Sequence, residues 1–391
     1  MSSRKWKTIK LSEIAYLNYG KSLTSDIRKE GKIPVYSSSG ITGWHDTALV
    51  NEDGIIIGRK GNVGSIFYAD GPFYCIDTAY YIKKSELKCN IKYFYYLLKT
   101  LGLDKLNEDS AVPGLNRDTA HSQLFSYPEE IDTQRRIAEI LSALDDKIEL
   151  NRQTNATLEA IAQAVFKEWF VNFNFPGATG EMVESELGMI PKGWRVGKLG
   201  EFAEKITKGT TPTTLGDDFV EQGVRFFRVD CIKDNFGIDA SKALFITPVT
   251  HDKLKRSQLR INDILITIAG SIGRIGIVTE RNLPANLNQA IGIIRVDKNK
   301  APVNYIYYFL KQQSIKDRLL SGVTQSVQAN ISLTDLSNLK IIIPPKTILG
   351  KFDIVMKISR DQIENLSEQT SSLIELRDLL LPKLMSGEIE V

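Results

Sequence analysis

Basic and amide side chains recur on short segments that directly follow apolar, β-branched runs. Arginine and lysine match guanine edges or phosphates, and asparagine and glutamine match adenine edges, so these residue types suit DNA contact. The GxxG segments at 61–64 and 270–273 would allow backbone N–H groups to approach a phosphate closely. Taken singly, such residues are explained more simply as turns or surface charge. The candidate DNA-binding residues are Lys21, Ser22, Arg59, Lys60, Asn62, Asn116, Arg117, Lys208, Thr210, Arg228, Ser271, Arg274, Asn288, Gln289, Gln325 and Asn330.

Known catalytic motifs do not account for these residues. The segment GKS at 20–22 ends like a phosphate-binding loop, but Ala15 stands where that loop needs its first glycine. The chain has no GxGxxG helix start, GxSxG elbow, HExxH pair or Asn-Pro-Pro-aromatic clamp. Asp77 with ELK at 86–88 has the outline of a nuclease metal site, but a solvated charge cluster explains it more simply. No catalytic residue is assigned.

The composition describes a globular protein of two or three domains. The chain has 391 residues, 42% of them hydrophobic and 25% charged. Its 50 basic and 47 acidic residues give a formal charge of +3, weak for a protein that binds duplex DNA unaided, so partners are expected to share the phosphate contact. No signal peptide or membrane-length apolar run occurs, which predicts a cytoplasmic protein without membrane contact.

The cysteines and histidines do not suit a metal site or a disulfide framework. Cys75, Cys89 and Cys231 are widely spaced and form no CxxC pair. The three histidines have neither HxxxH nor HxH spacing. We therefore expect the cysteines to pack in the core and assign no metal ligand.

Four blocks of sequence occur twice in the same order, which favours duplication over chance. The offset between the copies grows mainly after the first block, so the second copy is expected to carry an insertion of about 21 residues after Ala203. The matched pairs are WKTIKLSEIA (6–15) with WRVGKLGEFA (194–203), EDGIIIGRKGNVGSI (52–66) with INDILITIAGSIGRI (261–275), IKYFYYLLK (91–99) with VNYIYYFLK (303–311), and DDKIE (145–149) with RDQIE (360–364).

Each copy has the same predicted order of elements: a Trp-led strand, a variable Gly- and Ser-rich region, short strands, an aromatic helix, a further strand and a long helix. The last strand ends on proline in both copies, where the chain must leave the sheet. We predict an α+β protein in which two α/β domains alternate with two long helical regions. The predicted segments are 1–130, 131–175, 176–345 and 346–391.

The long helices carry apolar stripes at heptad spacing, and packing against each other is the simplest way to bury both. Polar stripe positions such as Asn151, Asn155, Gln362 and Gln369 would then fix the register. The alternative is that each helix packs only on its own domain. Pro382 and Gly387 are the expected stop signals of the second helix. The first stripe is Ile137, Leu141, Leu144, Ile148, Asn151, Asn155, Leu158, Ala162, Val165 and Trp169, and the second is Phe352, Val355, Gln362, Leu366, Leu373, Leu376 and Leu380.

Several segments resemble conserved regions of the specificity (S) subunits of type I restriction-modification systems, and the resemblance extends along the whole chain. TQRRIAEILSALDDKIELNRQTNATLEAI (133–161) followed by FKEWFVNF (166–173) is similar to that family's central conserved region. LLPKLMSGEIEV (380–391) is similar to its C-terminal conserved region. The Trp-led openings resemble the starts of its target-recognition domains. One departure is PPKTILGKFDIVMKI (344–358), which lacks the glutamine of TQRRIA.

The resemblance implies two target-recognition domains separated by two conserved helices that pair as an antiparallel coiled coil. Each domain would recognise one half of a split site in double-stranded DNA. Methyltransferase (M) subunits would dock on the helices and supply S-adenosylmethionine chemistry, and restriction/translocase (R) subunits would use ATP and Mg²⁺. This chain would hold no cofactor and would not be an enzyme.

The length of the helices implies a fixed spacing within the target. About 38 helical residues at a rise of 1.5 Å span about 57 Å, comparable to roughly 17 base pairs. Two alternatives remain: a stand-alone nuclease or methyltransferase, which would act without partners, and a scaffold that binds only protein, which would leave no salt-sensitive footprint on DNA.

Overall fold

A computed structural model describes residues 6–106, 114–233, 237–321 and 330–391. Contacts divide the chain into two compact units, unit 1 (1–150 and 369–391) and unit 2 (151–368). Each unit contains one copy of the duplicated sequence and one part of each long helix. We call the sheet-bearing parts the first copy (6–130) and the second copy (194–345).

Unit 1 consists of short strands covered by helices. Its strands are β1 (Trp6–Lys10), β2 (Asn18–Tyr19), β3 (Ile33–Ser37), β4 (Gly40–His45), β5 (Gly54–Gly58), β6 (Ile66–Ala69), β7 (Tyr74–Cys75), β8 (Ala79–Lys83) and β9 (Leu124–Pro128). Its helices are α1 (Leu11–Ile14), α2 (Ile91–Leu98), α3 (Arg117–His121) and the first half of α4 (Ile131–Phe170).

Unit 2 repeats this plan after a β-hairpin. Its strands are β10 (Met182–Ser185), β11 (Gly188–Pro191), β12 (Arg195–Lys198), β13 (Ala203–Lys208), β14 (Val224–Phe227), β15 (Ile232–Lys233), β16 (Gly237–Ile238), β17 (Leu244–Ile246), β18 (Ile264–Thr267), β19 (Ile275–Ile277), β20 (Ala285–Leu287), β21 (Ile291–Val296) and β22 (Lys340–Ile343). Its helices are α5 (Pro248–Lys253), α6 (Val303–Leu310), α7 (Gln313–Ser321), α8 (Leu333–Asn338) and the first part of α9 (Lys346–Ser386).

The two copies have the same sheet topology. Four strands run in the order β2-β8-β5-β6 in the first copy and β13-β21-β18-β19 in the second. Three strands run as β4-β3-β7 and β17-β14-β20, in which β3 pairs in parallel with β7 and β14 with β20. The Trp-led strand pairs with the last strand in each copy, as β1-β9 and β12-β22. The repeat that the sequence predicts is therefore a repeat of the fold.

The insertion predicted after Ala203 corresponds to additional structure in the second copy. The hairpin β15-β16 and helix α5 lie between β13 and β18. Residues 20–53, the equivalent stretch of the first copy, contain neither element. The additional residues of the second copy thus form elements outside the sheet topology that both copies share.

The aromatic helix of each copy lies in the core of its unit. Tyr93 and Phe94 of α2 and Tyr305 and Ile306 of α6 are buried. A helix that is apolar on nearly all sides must be enclosed by other elements. The four-stranded sheet covers one side of the helix in each unit, and the long helices contribute to the same core.

The two long helices pack together in an antiparallel arrangement within each unit. In unit 2, Asn155 of α4 donates through Nδ2 to Ser367 Oγ of α9 at 3.1 Å, and the Phe166 ring lies 5.8 Å from the Phe352 ring. In unit 1, Arg377 of α9 contacts Asp145 of α4. Residues later in α4 therefore contact residues earlier in α9, as antiparallel packing requires. The predicted α+β class, with two repeated domains and two long helices that pair as an antiparallel coiled coil, is confirmed.

The predicted stripe of α4 is correct, whereas that of α9 is correct at Phe352, Leu366, Leu373 and Leu380 and wrong at the positions between them. Every predicted stripe residue of α4 is buried or partly buried. In α9 the predicted positions Val355, Gln362, Gln369 and Leu376 are exposed, and their successors Met356, Ile363, Thr370 and Arg377 face the interior. Phe352 fits both stripes. The predicted seam positions Gln362 and Gln369 are thus exposed, and Ser367 and Arg377 supply polar contacts to α4.

Pro382 does not end α9. The helix continues through Pro382 to Ser386, and Gly387 follows with φ 77°. A proline inside a helix removes one backbone donor. Because Pro382 is exposed, water can hydrogen-bond the carbonyl left without its donor, while the buried side chains of Leu384 and Met385 hold the last turn in the core.

In each unit, a carboxylate of α4 connects the aromatic helix to a cation. In unit 1, Asp145 accepts from Tyr96 Oη at 2.7 Å and from Arg377 Nη1 at 2.7 Å. In unit 2, Glu159 accepts from Tyr308 Oη at 3.3 Å and lies 2.7 Å from Lys311 Nζ. Burial raises the pKa of Tyr308 far above its usual range, so its hydroxyl remains a donor.

Among the described residues, no helix combines the length and the apolar character that crossing a membrane requires.

Removal of Lys311 is expected to destabilise unit 2 because its side chain is 8% exposed and that of Glu159 is 13% exposed. Lys311→Met would leave a buried carboxylate without its cation, at a cost of about 3 kcal/mol. Native-state hydrogen exchange of the α6 amides measures the free energy of opening. The double variant Lys311→Met/Glu159→Leu should recover most of the loss. In the exposed pair Lys192–Glu181 (70% and 61%), Lys192→Met should cost less than about 0.5 kcal/mol. Equal costs at both pairs would contradict the prediction.

Candidate nucleic-acid interface

Loops of the same kind meet at the same edge of each copy. They are the segment after β2 or β13, the turn after β5 or β18, the segment after β7 or β20, and the residues that lead into α3 or α8. Corresponding backbone hydrogen bonds hold these loops in both copies, so equivalent positions can be assigned. In the first copy, Gly20 N–H donates to Ala79 O, Arg59 N–H to Thr78 O and Leu115 N–H to Arg59 O. The corresponding bonds of the second copy, in the same order, are Gly209 N–H to Ile291 O, Ile268 N–H to Ala290 O and Ile331 N–H to Ile268 O.

Glycines allow these loops to approach one another. A Cβ on Gly20 would lie 2.0 Å from Ile76 O, and one on Gly209 would lie 2.0 Å from Leu287 O. Both glycines of each GxxG turn have positive φ, from 71° to 84°, a region that side-chain-bearing residues rarely adopt. These glycines therefore allow the loop backbones to pack closely against each other. The side chains that flank the glycines are held in defined positions as a result.

Four predicted residues of the first copy line one cavity. Arg59, Lys60, Asn116 and Arg117 surround a space of about 310 Å³. The two chain segments that carry them are joined by an antiparallel bridge between Lys60 and Gly114. Asn116 also caps α3, because its Oδ1 accepts from Asp118 N at 2.8 Å. Sequence reasoning thus selected residues that are distant in the chain and adjacent in the fold.

Three tyrosines, which the sequence analysis did not select, complete this cavity and its edge. Tyr19 and Tyr80 line it, and Tyr16 adjoins it through Arg117, whose Nη1 donates to Tyr16 Oη at 2.8 Å. The Arg59 guanidinium lies 5.0 Å from the centre of the Tyr19 ring, a cation–π distance. Tyr19 and Tyr80 lie in short strands and Tyr16 shortly before one, where aromatic residues are usually core residues, so their type gave no signal. Their exposure in the fold identifies Tyr16 and Tyr19 as surface residues.

A neutral histidine supports Tyr16. His121 accepts from Leu17 N–H through Nε2 at 3.1 Å, and its ring lies 5.5 Å from the Tyr16 ring. Partial burial, and then the charge of Arg117, lowers the pKa of His121 below its ordinary value. His121 therefore remains neutral at neutral pH and retains the lone pair that accepts the Leu17 bond.

The other predicted residues of the first copy lie beside the cavity. Lys21 and Ser22 are exposed directly after Tyr19. Asn62, in the GxxG turn, donates through Nδ2 to Ser39 Oγ at 3.1 Å. That bond connects the turn to the segment between β3 and β4. All seven residues predicted in this copy thus lie on the loops that meet at this edge.

In the second copy, four predicted residues gather around the ends of β13, β14 and β20. The backbone of Asn288 donates to Phe227 O, which places Asn288 beside Arg228. Gln289 accepts a hydrogen bond from the Thr211 hydroxyl. Thr210 accepts from Arg256 Nη2 at 2.7 Å, and Arg256 is an exposed cation that the sequence analysis did not select. Arg228 itself forms an ion pair with Asp230 at 3.0 Å.

The remaining predicted residues of the second copy are more dispersed. Lys208 ends β13, and Ser271 is exposed in the GxxG turn. Arg274 Nη1 donates to Ile232 O at 3.4 Å, which directs this side chain toward β15. Asn330 forms a backbone bridge with Ala269. Gln325 lies outside the described residues.

Equivalent positions of the two copies carry different chemistry. The backbone bonds match Arg59 with Ile268 and place Arg117 and Leu333 two residues after the matched Leu115 and Ile331. By the same correspondence, Tyr19 matches Lys208 and Asp77 matches Gln289. The loop backbone is thus common to both copies, whereas the side chains at its matched positions differ; Ile268, unlike Arg59, is buried in the core.

The described residues contain no cluster of three or more His, Cys, Asp or Glu side chains that could hold a metal ion. Cys75 and Cys231 are buried, and burial raises the pKa of the Cys75 thiol to about 12. A thiol of this kind is protonated at neutral pH and unsuited to act as a nucleophile.

Comparison with known proteins identifies the family of this chain. The family model for the type I restriction modification DNA specificity domain matches residues 3–160 and again residues 191–369. The type I restriction enzyme MjaIX specificity subunit of Methanocaldococcus jannaschii is 30% identical over 309 residues, which cover 77% of this chain and 69% of that protein. The HindI specificity subunit of Haemophilus influenzae is 28% identical over 407 residues, covering 85% of both chains.

A solved structure has a similar fold. The crystal structure of the type I restriction-modification S subunit from M. genitalium aligns with a TM-score of 0.61 at 18% identity, covering 98% of this chain and 97% of that one. The family model matches both sequence copies, in agreement with the duplicated fold. The chain therefore belongs to the family of type I restriction-modification DNA specificity subunits, which are the non-catalytic DNA-recognition components of those systems.

Proposed function

We propose that this chain recognises a bipartite target in double-stranded DNA, with one half-site bound by each copy. The observation that carries the proposal is the duplicated loop frame, which presents different side chains at equivalent positions. A common frame suits the shared geometry of the duplex, and different side chains suit different bases. The sixteen candidate residues named above supply the donors and amides for these contacts.

We also propose that methyltransferase subunits dock on α4 and α9. Apolar residues on these helices are exposed in both units, among them Ile140 and Leu379 in unit 1 and Ile354 and Ile358 in unit 2. Exposed apolar residues grouped on one element are typical of protein interfaces. The docked subunits would supply S-adenosylmethionine chemistry, and restriction/translocase subunits would supply ATP- and Mg²⁺-dependent cleavage.

Sequencing of methylated bases tests the recognition proposal. DNA from cells that express this chain with its methyltransferase subunits should carry methyl groups in one motif with two specified parts and an unspecified gap. Cells that express the methyltransferase subunits alone serve as the control and should lack the motif. A continuous motif without a gap would contradict recognition by two separate copies.

Lengthening both long helices should disrupt recognition of the native site. A heptad inserted between Leu150 and Asn151, and another between Glu368 and Gln369, adds about 10.5 Å to the helix pair, or roughly three base pairs. Since three base pairs also turn the duplex by about a third of a turn, methylation of the native motif should fall at least about tenfold. The control replaces seven residues at each place without lengthening the chain. Methylation at the full rate by the lengthened protein would exclude a spacing role.

Charge on the exposed face of α9 should weaken docking. Ile354→Asp/Ile358→Asp places two carboxylates where the side chains are 67% and 70% exposed, so the fold should persist while binding of methyltransferase subunits falls at least about tenfold. Titration calorimetry with purified subunits measures the affinity. Val249→Asp is the matched control, because Val249 of α5 is 64% exposed on the same unit. Equal affinity for both proteins would exclude this face from the interface.

A further inference from the structure

We propose that the cavity of the first copy recognises guanine, with Arg59 and Arg117 as the donors and Tyr19 as the residue that positions them. The inference rests on the proposed function and assigns one base to one part of the site. Its basis is an arrangement of two guanidinium groups around a single aromatic ring. Arg59 lies 5.0 Å and Arg117 lies 5.1 Å from the centre of the Tyr19 ring.

The two guanidinium groups are held in place before any ligand binds. Arg59 Nη1 donates to Asp77 O at 3.1 Å, and its backbone forms bonds to Thr78 and Leu115. Arg117 Nη1 donates to Tyr16 Oη at 2.8 Å and lies 5.3 Å from that ring. Each guanidinium has five N–H donors. These contacts fix both groups while leaving further donors for a ligand, which reduces the entropy lost on binding.

The charge around the cavity selects a ligand rich in acceptors. Since both guanidinium groups lie about 5 Å from the same ring, they are no more than about 10 Å apart and repel each other. Among the cavity-lining residues, the acidic one is Asp118, whose Oδ1 lies 3.9 Å from Arg117 Nε, and its side chain is 89% exposed. A weak, solvated pair of this kind compensates little of the charge. The cavity therefore favours two or more acceptor atoms.

Guanine fits these donors better than a phosphate group does. Its major-groove edge presents O6 and N7, a pair of acceptors that one guanidinium binds with two parallel hydrogen bonds. A phosphate contact serves any sequence and would be useful in both copies, whereas the second copy has Ile268 and Leu333 at the matching positions. The arginine pair is specific to one copy, as a base contact should be. Lys60, exposed at the edge of the cavity, suits a phosphate.

Base-analogue DNA tests the inference on the unaltered protein. The chain in complex with its methyltransferase subunits is titrated with DNA duplexes that contain the motif found by sequencing of methylated bases. In each duplex, 7-deazaguanine replaces one guanine of the motif. This analogue lacks the N7 acceptor. At one or two guanines of one half-site, affinity should fall at least about fivefold. If no position loses affinity while the complex still binds its motif specifically, the guanine assignment is wrong and the proposed function stands. If the complex binds no motif, the proposed function fails.

Arginine-to-lysine variants connect that base to the cavity. Arg59→Lys and Arg117→Lys retain the charge but lose the paired donors, so preference for guanine at the sensitive positions should fall roughly 5- to 150-fold, with the salt dependence of binding unchanged. In these variants, 7-deazaguanine should have no further effect. Lys60→Gln is the control and should weaken binding to all sequences equally, with a salt slope smaller by about 1.

A second variant distinguishes positioning from a general loss of structure. Tyr19→Leu removes the ring but no donor, and should reduce guanine preference while leaving the melting temperature of the complex within a few degrees of the original. Lysine variants that retain full guanine preference, or that lower affinity equally for every base, would overturn the inference. The second outcome would identify the arginines as phosphate ligands.

Discussion

Two partly buried carboxylates of α4, Asp145 in unit 1 and Glu159 in unit 2, hold the recognition copies to the long helices. Removing a carboxylate from water is costly unless donors surround it. A tyrosine of the aromatic helix and a cation meet this requirement in both units, with Arg377 in one and Lys311 in the other. Since the aromatic helix is itself enclosed by the four-stranded sheet, the loops at the edge of that sheet have a fixed position relative to the helices of their own unit.

The loop frame can carry different side chains at equivalent positions because its backbone is stabilised independently of the exposed side chains. Backbone bonds and close glycine contacts hold both copies. Tyr19 and Lys208 occupy one position of this frame and have unlike chemistry. A substitution there changes the side chain without a change in the backbone hydrogen bonds that maintain the loop.

Periodicity identified the long helix α9 correctly but assigned part of its buried face to exposed residues. Phe352 belongs to both possible stripes of α9, and apolar residues occur on each. The prediction followed Val355, whereas packing against the second copy buries Met356 and exposes Val355. Ser367 and Arg377 contact polar residues of α4. The exposed apolar stripe that remains is the surface to which partner subunits are proposed to bind.

The sequence by itself determined the duplication, the α+β class, the two long helices and the loops on which the candidate residues lie, because these follow from local periodicity and from matched blocks. Only the tertiary structure decided which side chains meet. Tyr16 and Tyr19 had no distinctive signal, since a tyrosine in or next to a strand has the same type whether it is buried or exposed. Arg59 and Arg117 are 58 positions apart in the sequence, and the Lys60–Gly114 bridge brings their chain segments together. Spatial proximity of that kind depends on strand pairing over long sequence distances, which composition and spacing do not specify.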